Sequence, residues 1–101
     1  MTTTSAGAAL TTDAMALLQA GRLGEAEQLF RQAFALDPQN ALALLGLGVI
    51  EHRGGNFAAA LALFDRCILI APALAAAHVN RGNSWRKASS TTQRSTRLRP
   101  R

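Results

Sequence analysis

Apolar residues recur at helical spacing along most of the chain, and short breaks divide the pattern into segments. The clearest segment begins after Gly54-Gly55-Asn56 and ends before Pro72. Proline ends a helix because it disfavours the α region for the residue that precedes it. Its apolar residues follow the i, i+3, i+4, i+7 spacing of one helix face: Phe57, Ala60, Leu61, Phe64, Cys67 and Ile68. The pattern predicts one helix between these two breaks.

The same signals indicate helices on both sides of this segment. One helix ends near Ala20, Gly21 forms a turn, and a second apolar stripe then runs to Pro38. The stretch 41–53 is apolar on nearly every face, which is expected of a helix with neighbours on several sides, and Asn40 is placed to cap it. Residues 75–83 have the pattern of a further helix, and the apolar period is lost after them.

The chain also repeats itself every 34 residues, which is the separation of Gly21 from Gly55. We call this spacing the repeat offset. Isolated identities mean little in an alanine-rich chain, but a mixed set at one offset is difficult to obtain by chance. The set includes the pairs Gly21 and Gly55, Ala26 and Ala60, Leu29 and Leu63, Phe30 and Phe64, and Pro38 and Pro72. A repeat of this kind predicts helical pairs that cannot bury their apolar faces alone and therefore stack on one another.

These residues resemble the tetratricopeptide repeat family, whose units are helix–turn–helix pairs of about 34 residues. The segments Gly21–Asn40 and Gly55–Pro72 match the family best. The resemblance implies an all-α fold in which helix–turn–helix repeats stack as a short right-handed α-solenoid. It further implies that small residues permit close helix approach; these are Ala26, Ala60, Gly48 and Gly82.

The repeat register sets the expected boundaries. Residues 7–40 form the first repeat, residues 41–74 the second, and residues 75–87 the first helix of an incomplete third repeat. Asp13 stands at a usually apolar position, so the first helix is expected to begin near Thr11 or Thr12. Residues 1–6 and the basic segment 88–101 are predicted to be disordered, because they bury too little apolar surface to offset the entropy of ordering.

The net charge of +5 belongs to the C-terminal fifth of the chain. Residues 81–101 contain seven of the eleven basic residues and no acidic residue. The repeats themselves therefore do not have a nucleic-acid-binding composition. The tail could contact phosphates weakly, but it has no recognisable RNA-binding pattern, and a solvated segment without a nucleic-acid partner is the favoured interpretation.

No set of residues in the chain points to catalysis, a cofactor or a metal. Cys67 occupies a small-residue packing position, where a thiol is usually an inert core group. His52 and His78 do not have the spacing of a metal-binding motif. We therefore predict a protein that is not an enzyme and that needs no cofactor.

In the tetratricopeptide repeat family, the first helix of each pair lines a concave groove. The resemblance thus implies an apolar partner-binding groove with one basic end. The chaperone-tail-binding members have Lys and Asn where this chain has Thr11 and Met15, so that subclass is not indicated. The groove residues are Met15, Leu18, Leu42, Leu45, Val49, His52, Arg53, Val79, Asn83, Arg86 and Lys87.

Two functional hypotheses follow from the resemblance. The first is a non-catalytic protein–protein interaction module that binds a peptide or partner helix in the groove. The second is an N-terminal fragment of a larger repeat protein whose transferase-like catalytic domain is absent from this chain. The incomplete third repeat would also allow a homo-oligomer that shares its exposed face.

The remaining sequence signals concern the compartment. The N-terminus lacks the basic region and apolar run of a signal peptide, and no segment is long enough to span a membrane. The single cysteine excludes an internal disulfide. A cytoplasmic chain without a membrane partner is expected.

Overall fold

The glycine and proline breaks separate five α-helices in the computed structural model. Their bounds are α1 (Thr2–Gln19), α2 (Leu23–Leu36), α3 (Ala41–Arg53), α4 (Phe57–Ile70) and α5 (Ala75–Leu98). The structure describes the backbone of residues 2–98 and the side chains of residues 8–89. Within these residues there is no β-strand, which confirms the predicted all-α fold.

Gly21 and Gly55 make the same tight turn after α1 and α3. Each has a φ of 84°, in the left-handed region that glycine adopts without steric cost. The amide of the following residue, Arg22 or Asn56, donates at 2.9 Å to a carbonyl five residues earlier. This Schellman arrangement ends a helix and satisfies its last carbonyl groups. The two turns fold α2 back onto α1 and α4 back onto α3.

Asn40 fixes the connection between the two helical pairs. Its Oδ1 accepts a hydrogen bond from the Ala43 amide at 3.1 Å, which confirms the predicted cap of α3. Its Nδ2 donates to the Thr11 hydroxyl of α1 at 3.1 Å. One side chain therefore begins α3 and also joins it to α1.

The odd-numbered helices form one layer of the fold and the even-numbered helices form the other. The backbone of α3 lies close to both α1 and α5, whereas α2 and α4 lie farther apart and meet through long side chains, such as Arg66 over the Phe34 ring at 5.2 Å. Because the helices of one layer are closer together, α1, α3 and α5 lie on the inner side of the stack. This arrangement is the expected helical-repeat solenoid.

Two phenylalanine rings fill the space between neighbouring helices. Phe30 and Phe64 are both fully buried, and each ring lies directly against a glycine of α3. Phe30 contacts Gly46, and a Cβ built on Gly48 would lie only 2.5 Å from the Phe64 ring. The glycines of α3 are therefore needed because a side chain at either position would occupy the volume of a ring.

The predicted close approach is present at two of the other small residues but not at Gly82. Ala26 and Ala60 are fully buried, as predicted. A Cβ on Gly82, in contrast, would meet no other atom within 4 Å. The prediction for Gly82 was wrong because no helix of the described chain covers that side of α5.

The terminal helices extend beyond the limits that apolar spacing suggests. Helix α1 begins at Thr2 rather than near Thr11, and α5 continues to Leu98 although disorder is predicted from residue 88. A helix satisfies its backbone hydrogen bonds locally, so it can continue without an apolar stripe where no proline interrupts it. Met1 and residues 99–101, also predicted to be disordered, lie outside the described residues.

Candidate partner-binding surface

Most of the groove residues predicted from the sequence belong to three different environments, and Arg53 and Val79 belong to none of the three. Some line a cavity between α1 and α3, some line a basic cavity between α3 and α5, and some belong to the hydrophobic core. The continuous apolar groove that the sequence suggests is therefore divided into two separate openings.

The first opening lies between α1 and the beginning of α3 and has a volume of about 520 Å³. Met15 is half-buried in it, and Leu42 leaves 43% of its surface exposed at its edge. Thr11 also lines it and accepts the hydrogen bond from Asn40 described above. Its complete lining is Ala8, Thr11, Thr12, Met15, Asp37, Gln39, Asn40, Ala41 and Leu42. We call this opening the α1/α3 cavity.

The second opening has a volume of about 510 Å³ and is lined by His52, Asn83, Arg86 and Lys87. All four residues belong to the predicted groove, and none of them is acidic. His52 Nδ1 shares a hydrogen bond of 2.7 Å with the Ser84 hydroxyl, and the His52 and Phe57 rings form an edge-to-face pair with 5.1 Å between their centroids. These contacts hold the imidazole between α3 and α5. We call this opening the basic cavity.

Leu18 and Leu45 do not belong to a surface in the structure. Each is only 6% exposed, and the two side chains lie in the two clusters of the hydrophobic core. Val49 is half-buried and packs against both clusters. The helical positions of these residues were predicted correctly, but neighbouring helices cover them more completely than a groove floor requires.

Arg53 and Val79 also differ from the predicted arrangement. The Arg53 guanidinium donates to the carbonyl of Leu18 at 3.2 Å, so it closes the end of α1 instead of lining either cavity. Val79 is 62% exposed and does not line the basic cavity. The structure thus brings together Met15 with Leu42, and His52 with Asn83, Arg86 and Lys87.

Ser84 is a buried residue of α5 that the sequence pattern did not predict. It is fully buried, and its hydroxyl is the partner of His52. The loss of apolar period at Ser84 suggested that packing ends there. The repeat offset carried the missed signal, because it makes Ser84 equivalent to Ile50, which is also buried.

Cys67 has the environment of a core residue. Its side chain is fully buried, and its thiol donates to the carbonyl of Ala41 at 3.2 Å. Burial raises the pKa of the Cys67 thiol, so the reactive thiolate is disfavoured. Among the described residues, no three His, Cys, Asp or Glu side chains come close enough to hold a metal ion.

The comparison with known families agrees with this architecture. The tetratricopeptide repeat family model matches residues 11–81, which is most of the chain and includes α2, α3 and α4 entirely. The chain belongs to the tetratricopeptide repeat family. No curated protein matches it.

Tetratricopeptide repeats generally mediate protein–protein interactions, and the family is typically a non-catalytic scaffold. Across residues 2–98, no helix has both the length and the apolar character that crossing a bilayer requires.

Proposed function

We propose that this tetratricopeptide repeat protein is a non-catalytic interaction module that binds an acidic peptide along the inner side of α1, α3 and α5. The observation that carries the proposal is the pair of openings on that side, one largely apolar and one basic. A peptide that places an apolar side chain in the α1/α3 cavity and acidic side chains in the basic cavity would use both.

The apolar contact would come mainly from Leu42. Large apolar side chains at the surface mark binding sites when they border a cavity, and Leu42 is the most exposed one in the α1/α3 cavity. Met15 next to it has an unbranched, adaptable side chain that can fit different ligand shapes.

The ionic contact would come from the basic cavity. Arg86 donates to the Asn83 side chain at 3.4 Å, and no acidic residue lines the opening. Charged residues at the edge of an interface mainly accelerate association and select partners by charge.

The test begins with a random peptide library displayed on phage and selected against the immobilised full chain. We expect selected peptides that combine a large apolar residue with an acidic cluster. In fluorescence anisotropy titrations with one such labelled peptide, Leu42→Asp and Arg86→Glu should each weaken binding at least tenfold. Binding should also weaken as the salt concentration rises.

Matched controls are available on α4. Leu69 is 82% exposed, and the Arg66 guanidinium lies over the Phe34 ring of α2 at 5.2 Å. Leu69→Asp and Arg66→Glu therefore introduce the same chemical changes away from the inner side. Both variants should bind the selected peptide like the wild type. Selection of peptides without acidic residues, or equal effects of the test and control variants, would refute the proposal.

A further inference from the structure

One side of α5 remains uncovered in the described chain. Val79 is 62% exposed and Trp85 is 56% exposed. Gly82 lies between them in sequence, and a Cβ on it would meet no atom within 4 Å. His78 and Arg86 complete this surface, which we call the outer face of α5.

The repeat itself shows what such a surface packs against. At the repeat offset, Leu45 is the equivalent of Val79 and Gly48 is the equivalent of Gly82. In α3 both equivalents are buried, because α4 and α5 cover them and the Phe64 ring lies against Gly48. The outer face of α5 therefore has an open position for an aromatic ring on Gly82, with Trp85 and Val79 beside it.

The charge of α5 indicates which kind of helix can pack against its outer face. No acidic residue occurs after Asp65, and Arg81 already pairs with Asp65. Two copies of this face would bring two positively charged surfaces together, because each contains Arg86 and no acidic residue, and like charges oppose such pairing. A partner helix with acidic residues flanking an apolar stripe has complementary charge instead.

We propose that the outer face of α5 is a docking surface for an amphipathic helix of another protein, which places an aromatic side chain on Gly82 and acidic side chains near Arg86. Apart from Arg86 at its edge, this surface is separate from the two openings on the inner side. The partner helix would occupy, relative to α5, the place that α4 occupies relative to α3.

The probe is a synthetic peptide derived from α4, because α4 covers the equivalent face of α3. It spans residues 56–71 and carries Ala58→Glu, Ala59→Glu and Ala62→Glu at positions that are exposed in the protein. Cys67→Ala prevents oxidation. A second peptide with the additional change Phe64→Ala lacks the aromatic ring.

The expected results are specific to the outer face. The chain has one tryptophan, so the emission of Trp85 reports directly on this surface and should shift to shorter wavelength when the first peptide binds. Gly82→Leu places a side chain in the open position, where a Cβ would meet no atom within 4 Å, and it should weaken binding at least tenfold. Removal of the Phe64 ring from the peptide should have the same effect. Gly24→Leu, at another helical glycine with open surroundings, should leave binding unchanged.

Other results would contradict the docking of a partner helix on the outer face of α5. Absence of peptide binding to the wild type, or equal binding to wild type and Gly82→Leu, would overturn the proposal. A wild-type dimer in light scattering that Gly82→Leu converts to a monomer would assign the surface to a second copy instead. Leu42→Asp should bind this peptide normally, so failure of the inner-side proposal is measured independently.

Discussion

At the scale of single residues, Gly48 and Gly82 are equivalent in the repeat but have different surroundings. Gly48 faces the Phe64 ring at a distance that leaves no room for a Cβ, whereas nothing lies near Gly82. In both places alanine would favour the helix by about 1 kcal/mol over glycine. Only at Gly48 does this gain compete with a clash.

We therefore expect opposite effects from the same substitution. Gly48→Ala should lower the free energy of unfolding by up to about 2 kcal/mol net, because overpacking a close-packed core typically costs about 1–3 kcal/mol and the gain in helix propensity offsets about 1 kcal/mol of this. Gly82→Ala should raise it slightly. Urea denaturation followed by circular dichroism measures both, and a Gly48→Ala protein as stable as Gly82→Ala would contradict the packing of Phe64.

At the scale of elements, the turns at Gly21 and Gly55 decide how each helix pair folds back on itself. Neither position is crowded, since a Cβ on either glycine would meet no atom within 4 Å. The requirement comes from the backbone alone, whose φ of 84° lies in the left-handed region. An L-residue in that region costs about 1–2 kcal/mol.

Gly55→Ala should therefore destabilise the protein by about 1 kcal/mol. Gly24→Ala is the matched control, because Gly24 also has open surroundings but lies within α2. That variant should be as stable as the wild type or slightly more stable. Thermal unfolding of the two variants tests whether Gly55→Ala is the less stable protein. Equal melting temperatures would mean that the turn tolerates a Cβ.

At the scale of the whole molecule, Cys67 links ionisation to folding. Burial raises the pKa of its thiol above the ordinary value of about 8.5, so folding favours the protonated form. The corresponding stability is present below the ordinary pKa and is lost as the pH rises through the raised pKa of the folded state. The protein should therefore become less stable in alkaline solution.

The comparison of wild type with Cys67→Ala isolates this effect. Between about pH 7.5 and about pH 9.5, the free energy of unfolding of the wild type should fall more than that of the variant, by an amount on the order of 1 kcal/mol or less. The chain contains no tyrosine, and the variant retains every other titrating group. Parallel pH profiles in urea denaturation would contradict a buried, protonated thiol.

The sequence by itself determined the helices, their order and the repeat. Gly21, Gly55, Pro38 and Pro72 act on the backbone locally, so they mark the turns without reference to the rest of the fold. The capping role of Asn40 is equally local, because its Oδ1 accepts a hydrogen bond from Ala43 at the start of the same helix. The repeat offset then identified equivalent positions in successive units, and the family followed from them.

Only the tertiary structure decided which positions on those helices are accessible. Leu45 and Val79 are equivalent in the repeat, yet one is in the core and the other on the surface, because burial depends on which helix lies next to each of them. Ser84 shows the converse, since a polar residue is buried where His52 of another helix supplies its hydrogen-bond partner. Periodicity specifies the direction in which a side chain points, whereas accessibility depends on contacts between segments far apart in sequence.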